Sequence, residues 1–229
     1  MTRMDVLEFE PQELLGELNA HERKNAPPRL FLCGDAELLR GGHRVSVVGT
    51  REPTEAGVGR TKAIVDSLVA RGIVVLSGLA RGVDTVAHTH SIARGGRTIA
   101  VLGNPLDVFF PRENRDLQQQ IARDHLVVSQ FAPGTIGGEA NFPRRNRTMA
   151  LLSEATIIIE AGESSGTLHQ GWEAIRLGRP LFLLESLVAR SDLQWPKEMI
   201  EYGAEVLSRD NLDEALDAIP WRGVGEIPF

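Results

Sequence analysis

Arg44-Val45-Ser46-Val47-Val48-Gly49, followed by a helix-forming stretch from about Val58 to Arg71 and then by Ile73-Val74-Val75-Leu76, decides the fold of this chain. These short runs are β-branched or apolar for most of their length, which suits strands covered by helices on both faces. The unit recurs outward from there. Thr98–Leu102 leads to a helix around Glu113–Asp124, and Leu126–Ser129 leads, through a Pro/Gly-rich loop, to a helix around Arg145–Leu152. Thr156–Ile159 leads to a helix around Thr167–Leu177, and Pro180–Leu184 closes the series. A helix over Val83–Ala93 joins the second and third runs. Gly72, Gly95-Gly96 and Gly178 sit where helix C-terminal caps belong. Regular alternation of this kind predicts an α/β fold with a doubly wound, mostly parallel sheet and helices on both faces.

Three segments are expected: a short N-terminal extension (1–40), the alternating core (41–186) and an acidic C-terminal helical extension packed on it (187–229). The extension at the start reads as a helix over Pro11–Glu22, a Pro27-Pro28 break and an edge strand at Leu30–Cys33. The last segment reads as a helix near Trp195–Tyr202, a strand at Glu205–Leu207 and a helix near Asn211–Ile219.

In such sheets ligands bind beyond the carboxyl ends of the strands, where strand order reverses. The residues expected there are small or polar: Gly49-Thr50-Arg51, Ser77-Gly78 with Arg81, Gly103-Asn104, Ser129 and Gly162 to Thr167, including Ser165-Gly166-Thr167. Small residues let backbone N–H groups approach an anion, and helix N-termini favour negative charge. Arg144, Arg145 and Arg147 fall within four residues, and no acid stands between Ala140 and Ser153. Guanidinium forks match phosphate oxygens, so the run is a candidate phosphate site.

Charge is uneven along the 229 residues. The net value is −6, yet residues 41–184 hold 13 acids against 16 bases. The acidic flanks make the whole chain acidic, while its centre is free to present a positive groove. Ten acids against four bases in 185–229 suggest a tail able to fold over that groove as a cover. Cys33 stands alone, which excludes an internal disulfide and fits a reducing compartment. No signal segment and no apolar stretch of membrane-spanning length is present, so a soluble, cytoplasmic protein without membrane contact is expected. A phosphate-binding G-x-x-x-x-G-K-[ST] loop, a complete dinucleotide fingerprint, CxxC and HExxH are absent, and no metal or cofactor is expected. Asp84 and His88, four apart on one helix, read as loop-bracing residues and a possible local pair.

Gly49-Thr50-Arg51, Ser77 to Asp84 with Ala87-His88, and Leu106-Asp107 with Pro111 to Asn114 form an ordered set with Phe142 to Arg147, Glu160-Ala161 and Ser165 to Leu168. Together they resemble the Rossmann-like core of the DNA-processing protein A (DprA/Smf) family over about residues 25–185. The resemblance implies single-stranded DNA bound in a basic pocket, protection of that DNA, handover to a RecA-type recombinase during natural transformation, and a homodimer. It assigns phosphate contacts to Arg51 and to Arg144, Arg145 and Arg147. Donors would come from Gly49, Ser77, Gly78, Ser165 and Gly166. Phe142 and Phe110 are candidates for stacking on a base, although core positions suit such scarce aromatics better. The alternative is a nucleotide sensor, or a phosphoribohydrolase of the related lysine-decarboxylase-like superfamily. Those enzymes carry a glutamate where this chain has Gln170, and an amide is no general base, so no catalysis is expected.

Overall fold

The computed structural model describes residues 5–220. The strands are β1 (Leu7–Phe9), β2 (Leu30–Gly34), β3 (Arg44–Val48), β4 (Val74–Ser77), β5 (Thr98–Leu102), β6 (Leu126–Ser129), β7 (Ala155–Ile158), β8 (Leu181–Leu184) and β9 (Glu205–Leu207). The helices are α1 (Pro11–Leu15), α2 (Ala20–Asn25), α3 (Glu55–Ala70), α4 (Val83–Ala93), α5 (Arg115–Asp124), α6 (Asn141–Leu152), α7 (Thr167–Arg176), α8 (Glu185–Val188), α9 (Trp195–Glu201) and α10 (Leu212–Asp217). The strands form one sheet in the order β1-β2-β6-β5-β4-β3-β7-β8-β9. Pairing is parallel from β6 to β9, and antiparallel for β1 with β2 and β2 with β6.

Every residue of β3 through β8 is buried, because helices cover both faces. Val65 and Leu68 of α3, Val83 and Ala87 of α4 and Leu216 of α10 pack with Val45 and Val75 on one side. Met149 and Leu151 of α6, Ala174 of α7 and Trp195 and Met199 of α9 pack on the other with Val101 and Leu183. Burial of each such side chain stabilises the fold by about 1.5–3 kcal/mol before conformational entropy is counted. From β3 the chain winds outward through β4, β5 and β6, then crosses back to lay β7 on the other side of β3. The reversal lies between β3 and β7, and their C-terminal loops diverge there.

Several details differ from the sequence reading. The first helix is two, divided at Gly16 (φ +74°), with Asn19 capping α2 by accepting from His21 N (2.9 Å) and Glu22 N (3.0 Å). Leu30–Cys33 is not an edge, because the three-residue strand β1 covers it. Helix α6 begins at Asn141, four residues earlier than expected, since Pro143 sits in the first turn where its missing N–H is tolerated. The segment 205–207 extends the sheet beyond β8, while Leu216 and Ile219 enter the core. The described part of the acidic segment therefore builds the domain instead of covering the groove; residues 221–229 lie outside the described residues.

A buried charge network closes the end of the sheet where the strands begin. Arg44 Nη2 pairs with Glu154, and Arg44 donates from Nε to Leu152 O (2.9 Å) and from Nη1 to Leu39 O (2.7 Å). Arg179 donates to Ser153 O (2.6 Å) and Leu151 O (3.0 Å) and pairs with Glu22 of α2 at 3.1 Å. Burial pushes the Glu154 carboxyl above its usual range, opposed by Arg44, and lowers Arg179 to about 10. Removing one partner leaves uncompensated buried charge. Glu154→Gln is expected to lower unfolding free energy by about 3 kcal/mol in urea titration. A loss below about 0.5 kcal/mol, the level of an ordinary surface change, would contradict this account.

Candidate nucleic-acid interface

Two cavities meet at the C-terminal ends of the strands. The first, about 400 Å³, is lined by Gly49, Thr50 and Arg51 after β3, by Asp84, by Phe142, Arg145 and Asn146 of α6, and by Gly162 and Ser164 to Thr167 after β7. The second, about 560 Å³, adds Gly78, Arg81, Gly103, Asn104, Phe110, Arg112 and Glu113. Both are bounded by Arg51, Phe142 and Arg145, so these residues stand on the ridge of one continuous groove.

Arg145 is the centre of the site. It is 7% exposed and donates from Nη1 to Gly78 O (2.6 Å) and Val101 O (2.8 Å), and from Nε to Asn146 Oδ1 (2.9 Å). Among the described residues its Nη2 has neither a hydrogen bond nor an ion pair. Burial lowers its pKa; Asp84 raises it through space, and Arg51 lowers it further. Two guanidinium groups thus act on each other across one cavity, an arrangement that favours an anion between them.

Asp84, also buried, accepts from Gly78 N (3.1 Å) and Ala80 N (3.2 Å), bracing the loop after β4. Burial raises its pKa, with Arg145 the largest opposing influence. His88 Nδ1 lies 2.7 Å from Thr98 Oγ1, and burial holds its pKa at about 3, so the ring is neutral at physiological pH. Asp84 and His88 do not pair with each other. Leu79, in the same loop, takes a left-handed backbone (φ 57°), held by Asn114 Nδ2 on its carbonyl at 2.9 Å. Strain of this kind costs on the order of 1–3 kcal/mol and is tolerated where surroundings fix it.

The arginine run does not act as one patch. Successive helical residues point about 100° apart. Arg144 lies over the Phe131 ring at 5.2 Å, and Arg147 pairs with Glu173 at 3.3 Å. Only Arg145 of the three lines the groove. Ser77 is wholly buried and donates to Val47 O (2.7 Å), so it belongs to the core. Arg81 reaches the second cavity but pairs there with Glu113. Thr167 Oγ1 donates to Gly49 O at 3.0 Å, and Ser165 Oγ accepts from Thr167 N, joining the β3 and β7 loops across the first cavity. Phe110 and Phe142, expected in the core, form a tilted pair with centroids 5.7 Å apart, and Phe110 is 50% exposed. Phe142 fits because residue 103 is glycine: a Cβ there would come within 2.5 Å of its ring. Gln170 is buried, and Glu173 turns to Arg147 and Arg176 instead of the cavity. Asn146 stood inside the quoted arginine run, but nothing in a run of bases marks the asparagine that orients one of them.

Residues 11–219 match the family model described as DNA recombination-mediator protein A. The chain belongs to this family. It is 38% identical over 209 residues to protein Smf of Synechocystis, covering 90% of this chain and 52% of that protein. The structure of DNA processing protein A from Streptococcus pneumoniae superimposes with a TM-score of 0.80 at 32% identity, covering 94% of this chain and 75% of that one. DNA processing protein A from Helicobacter pylori, described for its single-stranded DNA binding mode, gives 0.79 at 26% identity, covering 95% and 98%. The chain spans about half to two thirds of the length of the curated relatives. Among the described residues no helix is long and apolar enough to cross a membrane.

Close approach at Gly78 provides a check on this geometry. An added Cβ would lie 2.1 Å from Arg145 Nη1, so Gly78→Ala must displace a buried guanidinium from its carbonyl acceptors. We expect a loss of about 1–3 kcal/mol in urea denaturation. An unchanged midpoint would show that Arg145 is not held as described.

Proposed function

We propose that the groove binds single-stranded DNA, with a backbone phosphate between Arg145 and Arg51 and a base against Phe142. The observation that carries this reading is the buried Arg145, which lines the cavity and has no ion-pair partner among the described residues. A desolvated cation open on one side is costly to maintain, and a phosphate oxygen offsets that cost. Phe110 and Phe142 supply an aromatic wall, and stacking suits any base sequence. Gly49, Thr50, Ser165, Gly166 and Thr167 complete the rim, with Gly78 at the floor and Arg81 on the path of a longer strand.

Family membership and the Helicobacter pylori neighbour support the same ligand. Among the described residues the one carboxylate on the first cavity, Asp84, is committed to backbone amides, which favours holding a strand over cutting one. In this role the protein protects recombining or incoming DNA and passes it to a RecA-type recombinase, acting as a homodimer in the cytoplasm. Arg144 and Arg147 remain outer phosphate contacts at most, since each already has an intramolecular partner.

Fluorescence anisotropy with an oligothymidylate and a duplex of equal length tests this. Binding should favour the single strand and fall steeply with salt. Arg145→Met is expected to weaken it at least about tenfold, as for a lost charge-assisted hydrogen bond. Arg144→Met and Arg147→Met should each change it by less than about threefold, the scale of an exposed ion pair. Equal losses for all three would contradict the assignment, and binding of mononucleotides alone would transfer the pocket to a small ligand.

A further inference from the structure

Glu160, two residues past the end of β7, places a carboxylate beside a groove read as a phosphate site, where its charge should repel the ligand. Its side chain lines neither cavity. Oε2 instead accepts from Thr54 N (3.2 Å) and Thr54 Oγ1 (3.1 Å) at the start of α3. Thr54 Oγ1 in turn accepts from Gly57 N (3.0 Å), capping that helix. The backbone of Glu160 holds the other end of the same loop, its carbonyl accepting from Thr50 N at 2.6 Å. Residue 57 must be glycine for this arrangement, because a Cβ there would fall 1.9 Å from Glu160 Oε2. Arg51 sits between these two anchors, on the loop running from Thr50 to Thr54.

The geometry points to Glu160 as a positioning residue that clamps the Thr50–Thr54 loop and thereby aims Arg51 into the groove; this role rests on the single-stranded DNA reading above. Glu160 contributes as a hydrogen-bond acceptor, and its negative charge is spent beneath α3 instead of facing the strand. Two opposite expectations therefore separate a clamp from a bystander. A bystander carboxylate near bound DNA weakens binding, so removing it would tighten the complex. A clamp does the reverse when deleted, and is rescued by an amide that keeps the acceptor.

The test is anisotropy with oligothymidylate over a salt series, on folded variants of the full chain. Glu160→Ala should weaken binding about tenfold and flatten the slope of log affinity against log salt by about 0.7, one phosphate contact on a single strand. Glu160→Gln should stay within about threefold of the parent, less than the loss of a single hydrogen bond. Arg51→Ala should reproduce the slope change, and the Arg51→Ala/Glu160→Ala double variant should bind no more weakly than Arg51→Ala alone. Should Glu160→Ala fail to fold, Gly57→Ala carries the same expectation by pushing the carboxylate off Thr54. Tighter or unchanged binding by Glu160→Ala, or losses that add fully with Arg51→Ala, would overturn the role of Glu160 while leaving the DNA reading intact. Absence of binding by the parent chain would remove the reading, and this role with it.

Discussion

A single guanidinium, buried on α6 and held by the carbonyls of Gly78 and Val101, organises the end of this molecule where the parallel strands terminate. Putting an arginine there requires the strand ends to come close to it without side chains of their own. Gly78 admits the guanidinium, and Gly103 admits the Phe142 ring that lies 6.0 Å from Arg145 Cζ. It also requires a counter-charge that stabilises the cation without quenching it. Asp84 meets that need from a distance, its oxygen occupied by the amides of Gly78 and Ala80.

The two ends of the sheet treat buried charge in opposite ways. Where the strands begin, Arg44 and Arg179 are paired with Glu154 and Glu22; Arg44 also donates from Nε and Nη1 to carbonyls, and Arg179 from Nη1 and Nη2. That network is closed and serves the fold by joining α2 to the starts of β3 and β7. Where the strands end, neither Arg145 nor Arg51 has an ion-pair partner among the described residues, and both line the groove. The difference lies in one carboxylate per arginine, and it separates a structural cation from one available to a ligand. The topology makes the second kind possible, because the loops after β3 and β7 part at the reversal of strand order.

Much of this was legible in the chain itself. Apolar runs such as Val45–Val48 and Ile157-Ile158 announced strands covered on both faces, and the small residues at their ends marked the rim of the groove. Short elements escaped notice: β1 has three residues and too little pattern to read, and Gly16 broke a helix whose two halves both look helical. The arginine run pointed to the groove but not to which of its arginines lines it, because adjacency in sequence becomes divergence around a helix. Ser77 looked like a donor because it stands at a strand end, yet its side chain points into the sheet and bonds Val47. The clamp by Glu160 joins residues 106 positions apart, a relation that no local pattern contains.

The most direct measurement is a crystal structure of the chain with a short oligothymidylate. The account predicts a phosphate oxygen within hydrogen-bond distance of Arg145 Nη2, about 2.7–2.9 Å for a charged pair, with a thymine ring against Phe142. A strand lying on another face, with Arg145 still open to an unfilled groove, would contradict it.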